Sequence, residues 1–434
     1  MHIRRFHSPI FGASLRPQSA TLSILLTLLF LLLGILFVLL TAQPAKGQTY
    51  KVIYNFTGGA DGAAPEAGLA MDGAGNLYGT TEEGGHTGGN CYDYGCGTVF
   101  KLAYKGSGWV LTTLYTFQAG SDGSYPLAAV VIGPNGILYG TTDTGGSGCY
   151  GYGCGTVFSL RPTPTVCKAA LCPWTETVLY RFTDTPDANG PGLGDLVFDK
   201  AGNIYGTTFG GGAYDNGAVF QLTPSGGTWS ESVLHSFDQT DGAQPAGGVT
   251  FGKNGSLYGT TIWGGAYGGG TIYELTPSSS GWVETILHQF DHFVDGNYST
   301  GGLIFDSSDN LYGTTGDGGP GGGIGGTAFQ MKPDGTLSTI CVFDGGFGPY
   351  SGMIFDQAGN LYGTTPSGGA YGPGIVFKLT PSNGGWTETI LHDFNGDDGA
   401  APQGRLLLDG HGNLYGTTVG GGAYGYGVVF EVTP

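Results

Sequence analysis

The sequence is poor in charged side chains, and the few it has are mostly acidic. Only 11% of its 434 residues are Asp, Glu, Lys or Arg, whereas 13% are aromatic. A disordered chain usually has the opposite balance, so a folded protein is expected. After residue 47 the chain carries 11 Lys and Arg against 33 Asp and Glu, a net charge of −22. Such a body repels phosphate backbones and has no basic stripe, which argues against nucleic acid as a partner.

Long apolar runs are also missing, except at the N-terminus. Residues 1–47 contain four basic residues and no acid, and the run at 21–40 is interrupted only by Thr, Ser and Gly. Twenty apolar residues are enough to span a bilayer core. Ala45-Lys46-Gly47 also offers small residues for cleavage before Gln48. We predict either a signal peptide removed near Gly47 or a retained signal-anchor helix at 21–40, with a buried core helix as the weaker alternative.

Either form of this leader makes the protein exported and extracytoplasmic. If the helix is retained, it is the sole contact with the membrane, and its basic flank stays in the cytoplasm. The remainder, residues 48–434, is predicted to form one domain.

One short motif organises that domain. Tyr-Gly-Thr-Thr occurs seven times at spacings of 50 to 66 residues, beginning at Tyr78, Tyr139, Tyr205, Tyr258, Tyr312, Tyr362 and Tyr415. A period of this length is typical of a propeller or a solenoid array. Glycine supplies 88 of the 434 residues, and it recurs at fixed places between β-type runs, so it indicates turns rather than disorder.

Each repeat contains four short segments rich in β-branched and aromatic residues, separated by Gly, Pro or Asp clusters. We label them strands a to d, where strand b carries Tyr-Gly-Thr-Thr and an Asp-x-x-Gly-Asn turn joins a to b. The pattern predicts an all-β fold, a seven-bladed β-propeller of four-stranded antiparallel blades. The last repeat lacks strand d, and residues 49–56 have the strand d pattern. We therefore predict that 49–56 pairs with 428–433 and closes the ring.

The repeat also resembles a known family. Gly-Asn-Leu-Tyr-Gly-Thr-Thr at 75–81, together with Gly-Gly-Ala-Tyr-Gly, Val-Phe-Lys-Leu-Thr-Pro and Trp-Thr-Glu-Thr, is similar to the bacterial GloVer tandem repeat of "choice-of-anchor" proteins. The strand order is similar to that of NHL-type propeller blades. The resemblance implies an exported repeat protein, and it brings no activity and no catalytic residues with it.

Six of the seven cysteines form Cys-x4-Cys pairs. In an oxidising compartment these pairs predict the disulfides Cys91–Cys96, Cys149–Cys154 and Cys167–Cys172. Free thiols and zinc binding are the alternatives, but the pairs lack further ligands nearby, so no metal site is predicted. Cys341 is expected to be a buried free thiol.

The connections d–a and b–c of a propeller emerge on one face. Exposed aromatics there can stack on sugar rings, and carboxylates can bind hydroxyls or Ca²⁺; no other cofactor is predicted. The alternative is architectural, with Asp-Gly forming turns and Tyr covering the next blade. The candidate ligand-binding residues are the aromatics Tyr214, Trp263, Tyr267, Tyr371 and Tyr424 and the acids Asp61, Asp122, Asp241 and Asp398.

Three further columns in strand d have simpler interpretations. The histidines His235, His288 and His392 lie on separate blades and are expected to pack rather than to bind one metal ion. The glutamates Glu176, Glu231, Glu284 and Glu388 are expected to be solvated at the outer edge. The tryptophans, which begin strand d, are expected to pack between blades.

No established catalytic motif is present, including His-Glu-x-x-His, Gly-x-Ser-x-Gly and phosphate loops. We therefore predict a monomeric, non-catalytic binding or scaffold propeller whose ligand is a glycan or another protein. The alternative is an extracytoplasmic polysaccharide hydrolase or lyase with its site on the same loop face. Its catalytic residues would be those that break the repeat symmetry, namely Glu82, Glu83, His86 and Asp143.

Overall fold

The computed structural model describes residues 48–434, apart from 89–90, 92, 147, 150–151 and 163–173. These residues form seven four-stranded antiparallel sheets, the blades of a β-propeller, and one two-stranded ribbon of Ala188–Asn189 with Gly210–Gly211. The predicted order a-b-c-d within each blade is confirmed. The N-terminal leader and the Cys167–Cys172 pair lie outside the described residues. No helix among the residues described is long and apolar enough to cross a membrane.

The strand bounds follow, blade by blade. The inner strands a are Ala70–Met71, Val131–Ile132, Val197–Phe198, Val249–Phe251, Ile304–Phe305, Ile354–Phe355 and Leu407–Leu408. Strands b are Leu77–Thr81, Leu138–Thr142, Ile204–Thr208, Leu257–Thr260, Leu311–Thr315, Leu361–Thr365 and Leu414–Thr418. Strands c are Thr98–Tyr104, Thr156–Arg161, Ala218–Ser225, Thr271–Ser278, Thr327–Met331, Ile375–Ser382 and Val428–Thr433. Strands d are Trp109–Thr116, Thr175–Arg181, Thr228–Ser236, Gly281–Gln289, Leu337–Val342, Gly385–Asp393 and, for blade 7, Thr49–Asn55.

The turn between strands a and b is fixed by its Asp and its Gly. In blade 1 the Asp72 carboxylate accepts the backbone N–H groups of Ala74 and Asn76, while Gly75 has φ +79°. Asp309 takes the glycine position in blade 5 and adopts φ +62°, which Asp tolerates better than most residues. The same Asp72 carboxylate accepts the Tyr78 hydroxyl. The turn and the repeat motif therefore form one hydrogen-bonded unit.

The glycine of Tyr-Gly-Thr-Thr is needed for a different reason. A Cβ at Gly79 would lie 2.6 Å from the ring of Phe100 in strand c. The other six copies make the same close approach to an aromatic ring of strand c. Because each ring is fully buried, a side chain here would push strands b and c apart.

The tyrosine of the motif and, in four blades, its first threonine contact the neighbouring blade. The Thr80 hydroxyl donates to the carbonyl of Ala128 in blade 2, and Thr417 makes the matching bond to Ala67 of blade 1. The Trp109 ring lies 6.2 Å from that of Tyr415 in blade 7, with the planes nearly perpendicular. The expected packing of the tryptophans between blades is confirmed by this geometry. The motif recurs because every blade must contact the next one.

Ring closure by the N-terminal strand is also confirmed. Thr49–Asn55 pairs antiparallel with Val428–Thr433, with Thr49 opposite Thr433 and Asn55 opposite Val428. Blade 7 thus takes its outer strand from the start of the domain and its other three from the end. Such closure covers the edge of Val428–Thr433, which would otherwise be unpaired.

The expectation that the strand d glutamates are solvated holds for Glu388, which is exposed, and is wrong for the other three. Glu176, Glu231 and Glu284 are about half-buried, and burial raises the pKa of each to about 7. Each also has one buried carboxylate oxygen without a hydrogen-bond partner among the described residues. The side chains alternate along strand d, and these glutamates lie on the same side of the strand as the tryptophans, facing the neighbouring blade.

Candidate functional site

The d–a and b–c connections share one face of the propeller, as predicted. In blade 1, Ala63 of the d–a connection pairs with Glu83 of the b–c connection through two backbone hydrogen bonds. Equivalent bridges join Ser124 to Thr144 and Ala243 to Trp263. Each pair of connections is therefore one braced unit, and we call the surface that they form the loop face.

The loop face presents an exposed tyrosine from six of its seven blades, in the part of the chain described. We call this set the tyrosine crown, and it consists of Tyr94, Tyr152, Tyr214, Tyr267, Tyr371 and Tyr424. Their exposed fractions lie between 61% and 69%. Rings so open to solvent do not serve mainly to cover the next blade. In blade 5 the column holds Gly323 instead.

Four crown tyrosines are held in place by one repeated hydrogen bond. The backbone N–H of the preceding alanine donates to the side chain of the last residue of strand d in the same blade. The pairs are Ala213 with Ser236, Ala266 with Gln289, Ala370 with Asp393 and Ala423 with Asn55, at 2.6–3.1 Å. Four different acceptor side chains thus make the same contact.

The other two crown tyrosines are held by disulfides. Cys91–Cys96 encloses Tyr94, and Cys149–Cys154 encloses Tyr152. These two predicted disulfides are present, whereas Cys341 is free and only partly buried. A hydrogen bond in four blades and a disulfide in two therefore fix the same tyrosine position.

The sequence prediction included four of the six crown tyrosines and omitted Tyr94 and Tyr152. A positional signal was available, because every crown tyrosine lies four residues before the first residue of strand c. In blades 1 and 2 this tyrosine lies between two cysteines, so the sequence indicates a disulfide loop there and not an aromatic site. Trp263 is 41% exposed, and its ring packs edge-on against Tyr298 at 4.3 Å.

The four candidate aspartates are already engaged inside their own loops. Asp61 accepts the backbone N–H of Thr57 and the hydroxyl of Tyr54, and Asp122 is held in the same way by Gln118 and Tyr115. In two other blades the partner from strand d is histidine. His235 Nε2 lies 2.9 Å from Asp241 Oδ2, and His392 Nε2 lies 3.0 Å from Asp398 Oδ2. These carboxylates stabilise the d–a connection, and their contact with a ligand stays a prediction.

Three of the four candidate catalytic residues, Glu82, Glu83 and Asp143, lie close together on the loop face. Burial, followed by the charges of Glu83 and Asp143, raises the pKa of Glu82. Sequence reasoning missed the fourth member, Glu66, which shares a hydrogen bond with Glu82. Burial, followed by the charge of Glu82, raises the pKa of Glu66 to about 7, and burial raises that of Asp143 to about 6.

His86 is exposed on the same connection and does not contribute to these shifts. Within the described part of the chain, no group of three or more His, Cys, Asp or Glu side chains is arranged to hold a metal ion. The cluster is thus a set of crowded carboxyl groups whose pKa values are all raised, that of Glu66 to about 7. Its members accept or donate hydrogen bonds according to pH.

These features define a seven-bladed β-propeller with an aromatic loop face. The chain belongs to the Gloeobacter/Verrucomicrobia repeat family, whose model matches residues 34–171, 152–348 and 322–434. The family expected from the sequence is therefore confirmed. A search of curated proteins gives no match to the chain.

Several solved structures are similar to this chain at low identity. A candidate gluconolactonase is 14% identical, with a TM-score of 0.41, over 74% of this chain and 92% of that one. A candidate 6-phosphogluconolactonase from Bacteroides uniformis is 16% identical, with a TM-score of 0.46, over 75% and 84%. A candidate glucose dehydrogenase from Thermus thermophilus is 14% identical, with a TM-score of 0.39, over 89% and 100%. Such values carry no conclusion about activity or ligand.

Proposed function

We propose that this protein is an exported, non-catalytic binding propeller that holds a polysaccharide on its tyrosine crown. The observation that supports this most is the crown itself: six exposed rings in one column, fixed by two unrelated devices. Exposing an aromatic ring forgoes the stabilisation that its burial would bring. Its repetition is explained if the rings are buried against a ligand instead.

A polysaccharide suits this surface better than a single small molecule. The crown sites lie on separate blades, so they are reached together only by an extended ligand with repeated units. Linked sites raise the overall affinity through effective concentration, even when each contact is weak. The pre-formed loops limit the entropy lost on binding. Export is supported by the two disulfides, since these persist in oxidising compartments.

A glycan array paired with a polysaccharide-degradation assay tests the proposal. We expect binding without turnover, and a several-fold loss of affinity in Tyr267→Ala and in Trp263→Ala. Tyr104→Ala is the matched control, because Tyr104 is 57% exposed at the end of strand c, next to the opposite face. Equal loss in the control, or no binding to any glycan by the folded protein, would contradict the proposal.

The carboxyl cluster is the one observation that favours the second candidate, a polysaccharide hydrolase or lyase. Glu66 and Glu82 are in hydrogen-bond contact, whereas the carboxyl pairs of glycosidases are about 5 Å or more apart. Glu82 and Asp143 would therefore have to act together across the cluster. Turnover that is abolished in Glu82→Gln and Asp143→Asn, with folding and binding intact, would support this candidate over the first.

A further inference from the structure

A second site is indicated by an irregularity in the innermost strands. The register places Ala70, Val197 and Leu407 opposite the tyrosine of strand b in their blades. The position two residues earlier is small in five blades, where it is Gly68, Ala129, Gly248, Gly302 and Gly352. A Cβ at Gly68 would lie 2.7 Å from the carbonyl oxygen of Arg405, which shows how closely the inner strands pack.

Blades 3 and 7 break this column with charged residues, Asp195 and Arg405. The two residues are 210 positions apart, yet Arg405 Nη2 donates to Asp195 Oδ2 at 3.1 Å. Both line the central channel, whose cavity has a volume of about 420 Å³. Blades 1 and 2 separate them on one side and three blades on the other. The ion pair therefore crosses the channel, and it joins blades that are not neighbours.

The channel next to this pair is mainly aliphatic. The position opposite the strand b tyrosine provides lining side chains from six blades, namely Ala70, Val131, Val197, Thr250, Ile304 and Leu407. A cavity of several hundred Å³ is within the range of small-molecule sites, and its aliphatic side chains can cover the apolar part of a ligand. The charges of the pair supply the polar end of such a site.

Asp195 and Arg405 differ in whether they have other hydrogen-bond partners and in how exposed they are. Asp195 Oδ1 also accepts the backbone N–H of Ala129 at 3.1 Å, so this carboxylate keeps a partner if the pair separates. Arg405 has five N–H donors, and its side chain makes one hydrogen bond to the described residues. It is also 49% exposed, against 27% for Asp195. The guanidinium is thus the group that a ligand would engage.

We propose that the central channel binds a small organic carboxylate with an apolar body, whose carboxylate replaces Asp195 on Arg405. Arginine pairs with carboxylates through two parallel hydrogen bonds, twice what the pair with Asp195 uses. The apolar body is buried against the aliphatic lining. The site is separate from the tyrosine crown and does not depend on the function proposed for it.

The other carboxyl group that lines the described cavity does not oppose such a ligand strongly. Burial raises the pKa of Glu66 to about 7, so this group is mainly neutral in mildly acidic solution. Asp195 then acts as the internal competitor for Arg405. Removing its charge should tighten binding, which is the reverse of its expected effect if it contacted the ligand directly.

Calorimetric titration of the whole exported domain with octanoate, and with octanamide as the uncharged probe, tests this proposal at pH 6. We expect octanoate to bind at least about tenfold more tightly than the amide, and Arg405→Gln to abolish that preference. Asp195→Asn should bind octanoate several-fold more tightly. Tyr267→Ala should leave octanoate binding unchanged.

Should Arg405→Gln fail to fold, Arg405→Lys is the second variant. It keeps the charge but cannot form the paired hydrogen bonds, so we expect intermediate affinity. Equal affinity for octanoate and octanamide, or the absence of octanoate binding in both the native protein and Asp195→Asn, would overturn the proposal.

Discussion

The ring of Tyr50 in the closing strand lies flat on His392 of blade 6, with centroids 3.5 Å apart and planes 5° apart. The Tyr50 hydroxyl donates to the carbonyl of Asp398 at 2.6 Å, so one side chain contacts two elements of the preceding blade. Burial raises the pKa of Tyr50 well above its ordinary value. The first strand of the domain therefore closes the ring by backbone pairing within blade 7 and by packing on blade 6.

Truncation of this side chain should weaken ring closure. We expect Tyr50→Ala to lower the free energy of unfolding by about 3 kcal/mol, the range for removal of a largely buried aromatic. Chemical denaturation of the propeller, residues 48–434, measures this. Deleting residues 49–56 should cause unfolding or aggregation, since it exposes the edge of Val428–Thr433. A Tyr50→Ala melting curve that overlaps that of exposed-site control Tyr104→Ala would count against the packing described here.

The half-buried strand d glutamates should make stability depend on pH. Burial raises the pKa of Glu176, Glu231 and Glu284 from 4.5 to about 7 in the folded state. Each of these glutamates therefore does not lower the free energy of unfolding below pH 4.5. The free energy of unfolding falls as the pH rises from there towards 7. Glu→Gln at one site should stabilise the fold at pH 8 by about 1 kcal/mol, a value discounted for partial exposure, and little at pH 4.

Glu274 supplies the matched control for that experiment. Burial alone would raise its pKa, but hydrogen bonds, chiefly from Tyr258, lower it overall. Its stabilising effect is present above its unfolded pKa and is lost as pH falls, so Glu274→Gln should destabilise the fold at pH 8. Denaturation curves at both pH values separate the two cases. The same sign of effect for Glu231→Gln and Glu274→Gln would show that the pKa assignments are wrong.

The hydrogen bond from the alanine N–H to the last side chain of strand d should affect polysaccharide binding more than it affects the stability of the fold. Gln289→Ala removes the acceptor of the Ala266 N–H next to Tyr267. We expect polysaccharide affinity to fall several-fold because the loop must then be ordered on binding, whereas the melting temperature changes little. Gln118→Ala, in an exposed part of another connection, serves as a control. Unchanged affinity in Gln289→Ala and Asn55→Ala would mean that this hydrogen bond does not position the crown.

The two disulfides should behave similarly in blades 1 and 2. Each closes a loop of about six residues, for which chain entropy predicts about 2 kcal/mol of stabilisation. Replacing both cysteines of one pair by serine should lower stability by up to that amount and weaken binding through Tyr94 or Tyr152. Mass spectrometry before and after reduction checks that the bonds exist in the exported protein. Fewer than two bridges would contradict the structure.

Much of the fold follows from the repeat. Tyr-Gly-Thr-Thr and the Asp-x-x-Gly-Asn turn have local causes, such as the φ of Gly75 and the Asp72 hydrogen bonds. Ring closure was predictable because one strand was missing at the end and one was extra at the start. The motif repeats in all seven blades and the aspartate of the turn in five, so the sequence shows each of them several times.

What the sequence could not show were contacts between residues far apart in it. Glu66 joins Glu82 only because the d–a and b–c connections pair, and Asp195 meets Arg405 across the channel from another blade. The burial of Glu176, Glu231 and Glu284 cannot be predicted from the sequence for the same reason, since the neighbouring blade that covers them is not visible in the strand itself. The strand sequence alone shows which side chains share a side of the strand, whereas their burial depends on what packs against that side.

Hydroxyl-radical footprinting of the protein with and without a bound polysaccharide tests whether the tyrosine crown is the binding surface. We expect oxidation of the tyrosine crown, Tyr94, Tyr152, Tyr214, Tyr267, Tyr371 and Tyr424, to fall on binding, while oxidation of Tyr104 stays the same. Protection of Tyr104 with the crown still open, or binding without protection of any crown tyrosine, would contradict it.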